Sequence, residues 1–203
     1  FILGETEFFG LPFKLNPSTL IPRPETEELV QWIIEELTLA NVQNPKILDI
    51  GTGSGCIAIS LAKNLPNAKV HAMDVSKEAL KVAKENAILN QVEVNFIEID
   101  ILTARHTELH KYDVIVSNPP YFSTTNENEN KRKAQARHVS SLEIKPFIEK
   151  VNSLLRESGH FWLILPYSDA AQWFFQFEEC GLTAARKIDI IGKEGNDPIR
   201  CVF

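Results

Sequence analysis

The sequence predicts an α/β protein built on a mostly parallel sheet with helices on both faces. Three observations carry this expectation. From Pro45 onward, short apolar runs alternate with amphipathic stretches of helical length. A glycine turn joins the first apolar run directly to a helix. The last two runs follow each other with no helix between them, which predicts an antiparallel hairpin at one edge of the sheet.

The elements follow in order. "KILDI" reads as a buried strand, and beyond the glycine turn "CIAISLAKNL" is a helix. "AKVHAMDV" is the second strand. "SKEALKVAKENAILN" is the next helix, with Ser76 as N-cap and Glu78 in its first turn. "VEVNFIEID" and "YDVIVSN" are the third and fourth strands. Leu142 to Leu155 suits a helix, "HFWLILP" a fifth strand, and "SDAAQWFFQFEECG" a helix stopped by Gly181. Trp173, Phe174, Phe175 and Phe177 are expected to pack that helix. "LTAARKIDII" and "PIRCVF" complete a count of seven strands. Residues 1–44 form a lead-in to this core at 45–203. In the lead-in, "GETEFFGLPFKL" predicts a hairpin turning at Gly-Leu-Pro. Pro22 and Pro24 hold the chain extended around Arg23, and Pro24 sits where the next helix begins. Leu29, Ile33, Ile34 and Leu37 give that helix one buried face.

The 203 residues, 44% hydrophobic and 24% charged, describe a globular domain. A net charge of −6 argues against a broad basic surface for nucleic acid. No apolar run reaches membrane-spanning length, and no signal peptide is recognisable. The chain starts at Phe1 and reads as a piece of a longer protein. Cys56, Cys180 and Cys201 are far apart and odd in number, so they are expected to be reduced, in a cytoplasmic monomer. The five histidines show no ligand spacing, and no metal is expected.

The chemistry gathers at strand ends. Asp49, Ile50, Gly51, Thr52, Gly53 and Gly55 lead from the first strand into its helix, where backbone can approach a ligand closely. The spacing is G-x-G-x-G after an acid, not the G-x-G-x-x-G of a pyrophosphate turn. Asp74 closes the second strand and is placed to accept from both hydroxyls of a ribose. Asp100 closes the third and is placed to accept from an adenine amino group, with Ile101 against the ring. An adenosyl ligand without phosphates fits such a rim, S-adenosylmethionine first of all. "NPPY", Asn118 to Tyr121, ends the fourth strand with an amide, two prolines and an aromatic ring. The Asn118 side-chain oxygen and the Pro119 carbonyl are two acceptors for the two N–H bonds of a planar amide or amine, whose nitrogen is otherwise a poor nucleophile. Pro120 stiffens the segment, and the face of Tyr121 suits a developing positive charge.

From about Gly4 to Tyr121 the chain resembles the bacterial release-factor glutamine methyltransferases, the HemK family. "LIPRPETEELV", "ILDIGTGSGCIAISLA" and "SNPPY" carry the resemblance. It implies a class I S-adenosylmethionine-dependent methyltransferase fold, Rossmann-like and seven-stranded, in agreement with the strand count. It also implies that Asp49 to Gly53, Asp74, Ile101 and Asn118 contact S-adenosylmethionine, and that Asn118 to Tyr121 hold the substrate amide. The partner it implies is a peptide-chain release factor. That family's release-factor-docking helical domain would lie before Phe1.

After Tyr121 the pattern changes. Phe122 and the stretch through Phe203 resemble tRNA adenine-N6 methyltransferases, whose R-x-x-A-R-H run has a counterpart in Arg132 to His138. The sequence reads as a natural mosaic or a chimera. The alternative acceptor is therefore a tRNA adenine, with Lys131, Arg132, Lys133, Arg137 and His138 either gripping phosphates or forming a solvated loop. A chain that folds and binds cofactor without turnover is the remaining alternative. Arg23 either closes over the cofactor or anchors a salt bridge.

Overall fold

The computed structural model describes residues 4–104, 110–119, 144–192 and 196–203. A hairpin comes first, β1 (Glu5–Phe8) paired with β2 (Leu11–Lys14). Its turn is Phe9-Gly10, with φ of 52° and 71°. Two successive left-handed residues give the twist that a two-residue hairpin needs. The turn therefore shares only Gly10 with the Gly-Leu-Pro centre expected from the sequence. Leu11 and Pro12 belong to β2, where proline is tolerated because only β1 pairs with that strand.

Helix α1 (Pro24–Leu39) starts as expected, with Pro24 in its first turn and Glu25 and Glu27 near its positive end. Then come β3 (Lys46–Ile50), α2 (Cys56–Asn64), β4 (Lys69–Asp74), α3 (Lys77–Leu89) and β5 (Asn95–Glu98). In α3 the Ser76 hydroxyl accepts from the Ala79 N–H at 3.2 Å, the predicted N-cap. Strand β6 (Tyr112–Ser117) follows, then α4 (Ile144–Leu154), β7 (Leu155–Pro166), α5 (Ala170–Glu179), β8 (Ile188–Ile191) and β9 (Pro198–Val202). Gly181, at φ +77°, stands just beyond α5.

Seven strands form one sheet in the order β5-β4-β3-β6-β7-β9-β8. The first five are parallel, and β9 runs antiparallel to both β7 and β8. Alternation along the strands divides the core. Ile47, Val70, Ala72, Val114 and Val116 face α1, α2 and the hairpin. Leu48, Ile50, Met73, Ile115 and Leu163 face α4 and α5. Trp173 and Phe177 fill that second layer, whereas Phe174 and Phe175 are exposed, Phe174 with its ring beside Phe203. Helix α2 is buried all round from Cys56 to Leu61.

Two edge strands are shorter than the sequence predicts. Strand β5 has only β4 beside it, and pairing ends where β4 ends, at Asp74 opposite Glu98. Strand β8 likewise pairs only with β9 and starts at Ile188 rather than Leu182. The central register matters most for the site. Ile50 lies opposite both Met73 and Ser117, so β3, β4 and β6 finish at one level. The chain goes from β3 to one side, then returns to β6 on the other, so strand order reverses between β3 and β6. In open α/β sheets that crevice is where ligands bind.

Candidate active site at the strand-order reversal

The glycine turn leaves β3 and folds over the end of β4. The N–H groups of Gly51 and Thr52 both donate to the Met73 carbonyl, at 2.9 and 3.0 Å. Gly51 and Gly53 have φ of +74° and +55°, and a Cβ on either would project into open space. Here glycine serves a backbone conformation on an accessible rim. Gly55 serves another purpose. At φ +82° it begins α2, and a Cβ there would lie 2.9 Å from Ile59 Cδ1 and 3.1 Å from Ala83 Cβ. Its missing side chain lets α2 approach α3.

The three acids differ in setting. Asp49 is the fourth residue of β3 and fully buried, not exposed on the rim. Its Oδ2 accepts from the Thr52 hydroxyl at 2.6 Å, while Oδ1 has no hydrogen-bond partner. Burial pushes its carboxyl up to about 7. The Thr52 hydroxyl and, more weakly, the Ala58 N–H oppose this, and the Asp74 charge adds to it. Asp74 ends β4 as expected. Its Oδ2 accepts from the Gly53 N–H and its Oδ1 from the Ser76 N–H, both at 2.9 Å, so it clips the glycine turn to the start of α3. Asp100 lies two residues beyond β5, not at its end, because that strand stops with its partner. Its Oδ1 accepts from the Leu102 N–H at 2.9 Å in a local turn. Ile101 packs into the core beside Ile50 and Met73 and is 7% exposed. Val75, immediately after Asp74, is 67% exposed.

On the other side of the reversal, the Ser117 hydroxyl donates to the Ile50 carbonyl at 2.9 Å, tying the end of β6 to the end of β3. Asn118 and Pro119 follow, Pro119 buried. The Asn118 Nδ2 donates to the Thr26 hydroxyl at 3.3 Å. Thr26, in the first turn of α1, is 2% exposed. Thr26 lies within the "LIPRPETEELV" stretch but is not among the site residues that the sequence singles out. Pro120, Tyr121 and the Lys131–His138 run lie outside the described residues. So the structure brings Asp49, the glycine turn, Asp74 and Asn118 to adjacent strand ends, and sets Asp100 further along the same edge. A cavity of about 190 Å³ near Phe161, Phe177 and Phe203 contains none of these residues. No group of three potential metal ligands occurs among the described residues, and no helix among them is long and apolar enough to cross a membrane.

This sheet order, with a glycine turn and an Asn-Pro strand end flanking the reversal, defines a methyltransferase domain. The chain belongs to the methyltransferase small domain family, whose model matches residues 29–180. Within that class it belongs with the release factor glutamine methyltransferases. The Flavobacterium psychrophilum protein of that name is 56% identical over 160 residues, which are 76% of this chain and 53% of the relative. The Deinococcus radiodurans protein of the same name is 32% identical over 203 residues, covering 95% of this chain and 70% of its own. That alignment runs well past Tyr121, so the likeness is not confined to the first three-fifths of the chain. The chain spans about half the length of the first of these relatives. Among solved structures, an S-adenosylmethionine-dependent methyltransferase from Clostridium acetobutylicum shares the fold, with a TM-score of 0.65 at 15% identity over 87% of this chain and 89% of that one.

Proposed function

We propose that this chain binds S-adenosylmethionine and methylates the side-chain amide of a glutamine in a peptide-chain release factor. The observation that carries the reading is Asn118 standing across the β3/β6 crevice from the glycine turn, in a chain whose relatives bear that activity in their name.

The residues present fit the cofactor. The unpartnered Oδ1 of Asp49 is a buried acceptor of the kind an ammonium group satisfies. Asp74 uses one lone pair on each oxygen for Gly53 and Ser76, which leaves acceptor capacity for two ribose hydroxyls. Exposed Val75 offers a face to a flat base, and Asp100 an acceptor at its edge. Gly51 and Gly53 keep side chains out of the approach. When bound, the cofactor supplies an electrophilic methyl group on a sulfonium.

The acceptor side is built by Asn118 and Pro119. An amide nitrogen is a weak nucleophile because its lone pair is delocalised into the carbonyl. Asn118 Oδ1 and the Pro119 carbonyl accept its two N–H bonds, fix its direction and stabilise the positive charge that develops on it. Asn stays neutral and accepting across the working pH range. No general base is required, since a methylated amide cation loses its proton readily to water. Tyr121 is assigned the ring face over that nitrogen, and Pro120 the stiffness of the segment.

The test uses cofactor labelled on its methyl group, with release factor in one reaction and undermodified tRNA in another. Label on a release-factor glutamine is the expected result. Label in tRNA alone would transfer the assignment to an adenine acceptor. Label in neither would leave a fold that binds cofactor without turnover.

A further inference from the structure

We infer that Thr26 is a positioning residue for methyl transfer, holding the Asn118 amide so that its oxygen and not its nitrogen meets the acceptor. This rests on the function proposed above. The buried stripe of α1 runs Thr26, Leu29, Val30, Ile33 and Leu37, and Thr26 is its one polar member. It sits at the end of the helix nearest the strand-order reversal. Its hydroxyl accepts from Asn118 Nδ2 at 3.3 Å, across 92 positions of chain.

The sequence fixes where that hydroxyl stands. Arg23, between two prolines, is extended at φ −109° and ψ 147°, and Pro24 begins the helix behind it. The Thr26 N–H donates to the Arg23 carbonyl at 2.9 Å, closing the first turn. Starting the helix one residue later would rotate the hydroxyl about 100° away from β6. The backbone under Asn118 is fixed independently by the Ser117 hydroxyl on the Ile50 carbonyl. What the backbone leaves open is the setting of the side chain, including which arm of the planar amide faces the crevice.

That rotation decides the chemistry. The two arms of the amide are an NH₂ donor and a carbonyl acceptor. An acceptor substrate arrives with an NH₂ group of its own. Turned one way, Asn118 offers it an oxygen; turned the other, donor faces donor and no hydrogen bond forms. Engaging Nδ2 with Thr26 leaves the oxygen arm for the substrate.

The experiment compares Thr26→Val and Thr26→Ser with the parent protein in release-factor methylation. Alongside it run calorimetry with S-adenosylhomocysteine and ¹⁵N spectra of the Asn118 side-chain NH₂. Expected for Thr26→Val is a loss of roughly tenfold or more in kcat with cofactor affinity held within about twofold, restored by Thr26→Ser. The Asn118 NH₂ signals shift in the valine variant and return in the serine variant. Unchanged kcat in Thr26→Val, no recovery in Thr26→Ser, or a loss appearing equally in cofactor affinity would each overturn the inference. If the parent protein methylates no acceptor, the proposed function fails while the spectra still decide the geometry. NH₂ signals indifferent to Thr26→Val then overturn the inference, and signals that shift and recover support it.

Discussion

Replacing Asp49 by asparagine removes a buried negative charge at nearly constant shape. The carboxyl rises from 3.8 to about 7, chiefly through burial. At about 1.4 kcal/mol per pH unit, this amounts to a penalty of about 4 kcal/mol on the ionised native state. Below pH 3.8 both folded and unfolded chains are protonated, and Asp49 costs nothing. Between 3.8 and about 7 the unfolded chain releases its proton first, so native stability falls as pH rises. Above that range the penalty is constant. Asparagine has no proton to release, and its side-chain oxygen still accepts from Thr52. Allowing for relaxation around the charge, Asp49→Asn is expected to stabilise the cofactor-free protein by about 1–3 kcal/mol at pH 8, and by much less near pH 4.5. Urea unfolding at the two pH values, with slopes compared to check that the unfolded states match, measures the difference. A gain that does not grow with pH, or a less stable variant at pH 8, would refute the reasoning.

Three further substitutions separate the parts of the site. Asp74→Ala removes the acceptor of the Gly53 and Ser76 N–H groups as well as the ribose site, so calorimetry should show S-adenosylmethionine binding weakened by about 1–3 kcal/mol. Undiminished affinity would exclude Asp74 from the cofactor. Asn118→Ala should nearly abolish methyl transfer while cofactor affinity stays within a few fold; retained turnover would make Asn-Pro a structural turn only. Gly55→Ala forces a left-handed φ on a residue whose Cβ meets Ile59 and Ala83, and thermal unfolding should report a loss of about 1–3 kcal/mol. No loss would mean that α2 and α3 part easily.

The central elements were legible because their signals are local. β3 and β6 are apolar runs buried on both faces, and α3 declares its start at Ser76. Elements at the edges were less so. How far β5 and β8 extend depends on where a single neighbour stops, which no run of residues encodes. The Phe9-Gly10 turn sets a phenylalanine at positive φ, which backbone propensity disfavours and no local signal announces. The same division holds in the site. Glycines, strand-end Asp74 and Asn118 announce themselves by spacing. The burial of Asp49, the displacement of Asp100 and the partnership of Thr26 with Asn118 are products of strand register and contacts between distant segments.

Asn86 of α3 is wholly buried, and one side chain serves three backbone groups. Its Oδ1 accepts from the Lys14 N–H at 2.7 Å; its Nδ2 donates to the Lys14 carbonyl at 3.0 Å and to the Ser54 carbonyl at 2.9 Å. A single planar group thereby closes two loops of chain, one of 72 positions and one of 32. Opening either closure leaves a polar atom of the buried Asn86 side chain without its partner. Asn86 thereby joins the end of the hairpin at Lys14 to the peptide between Gly53 and Gly55. Because the same amide plane holds Ser54, solvent exchange at the Lys14 N–H is expected to quicken when the glycine turn is disturbed.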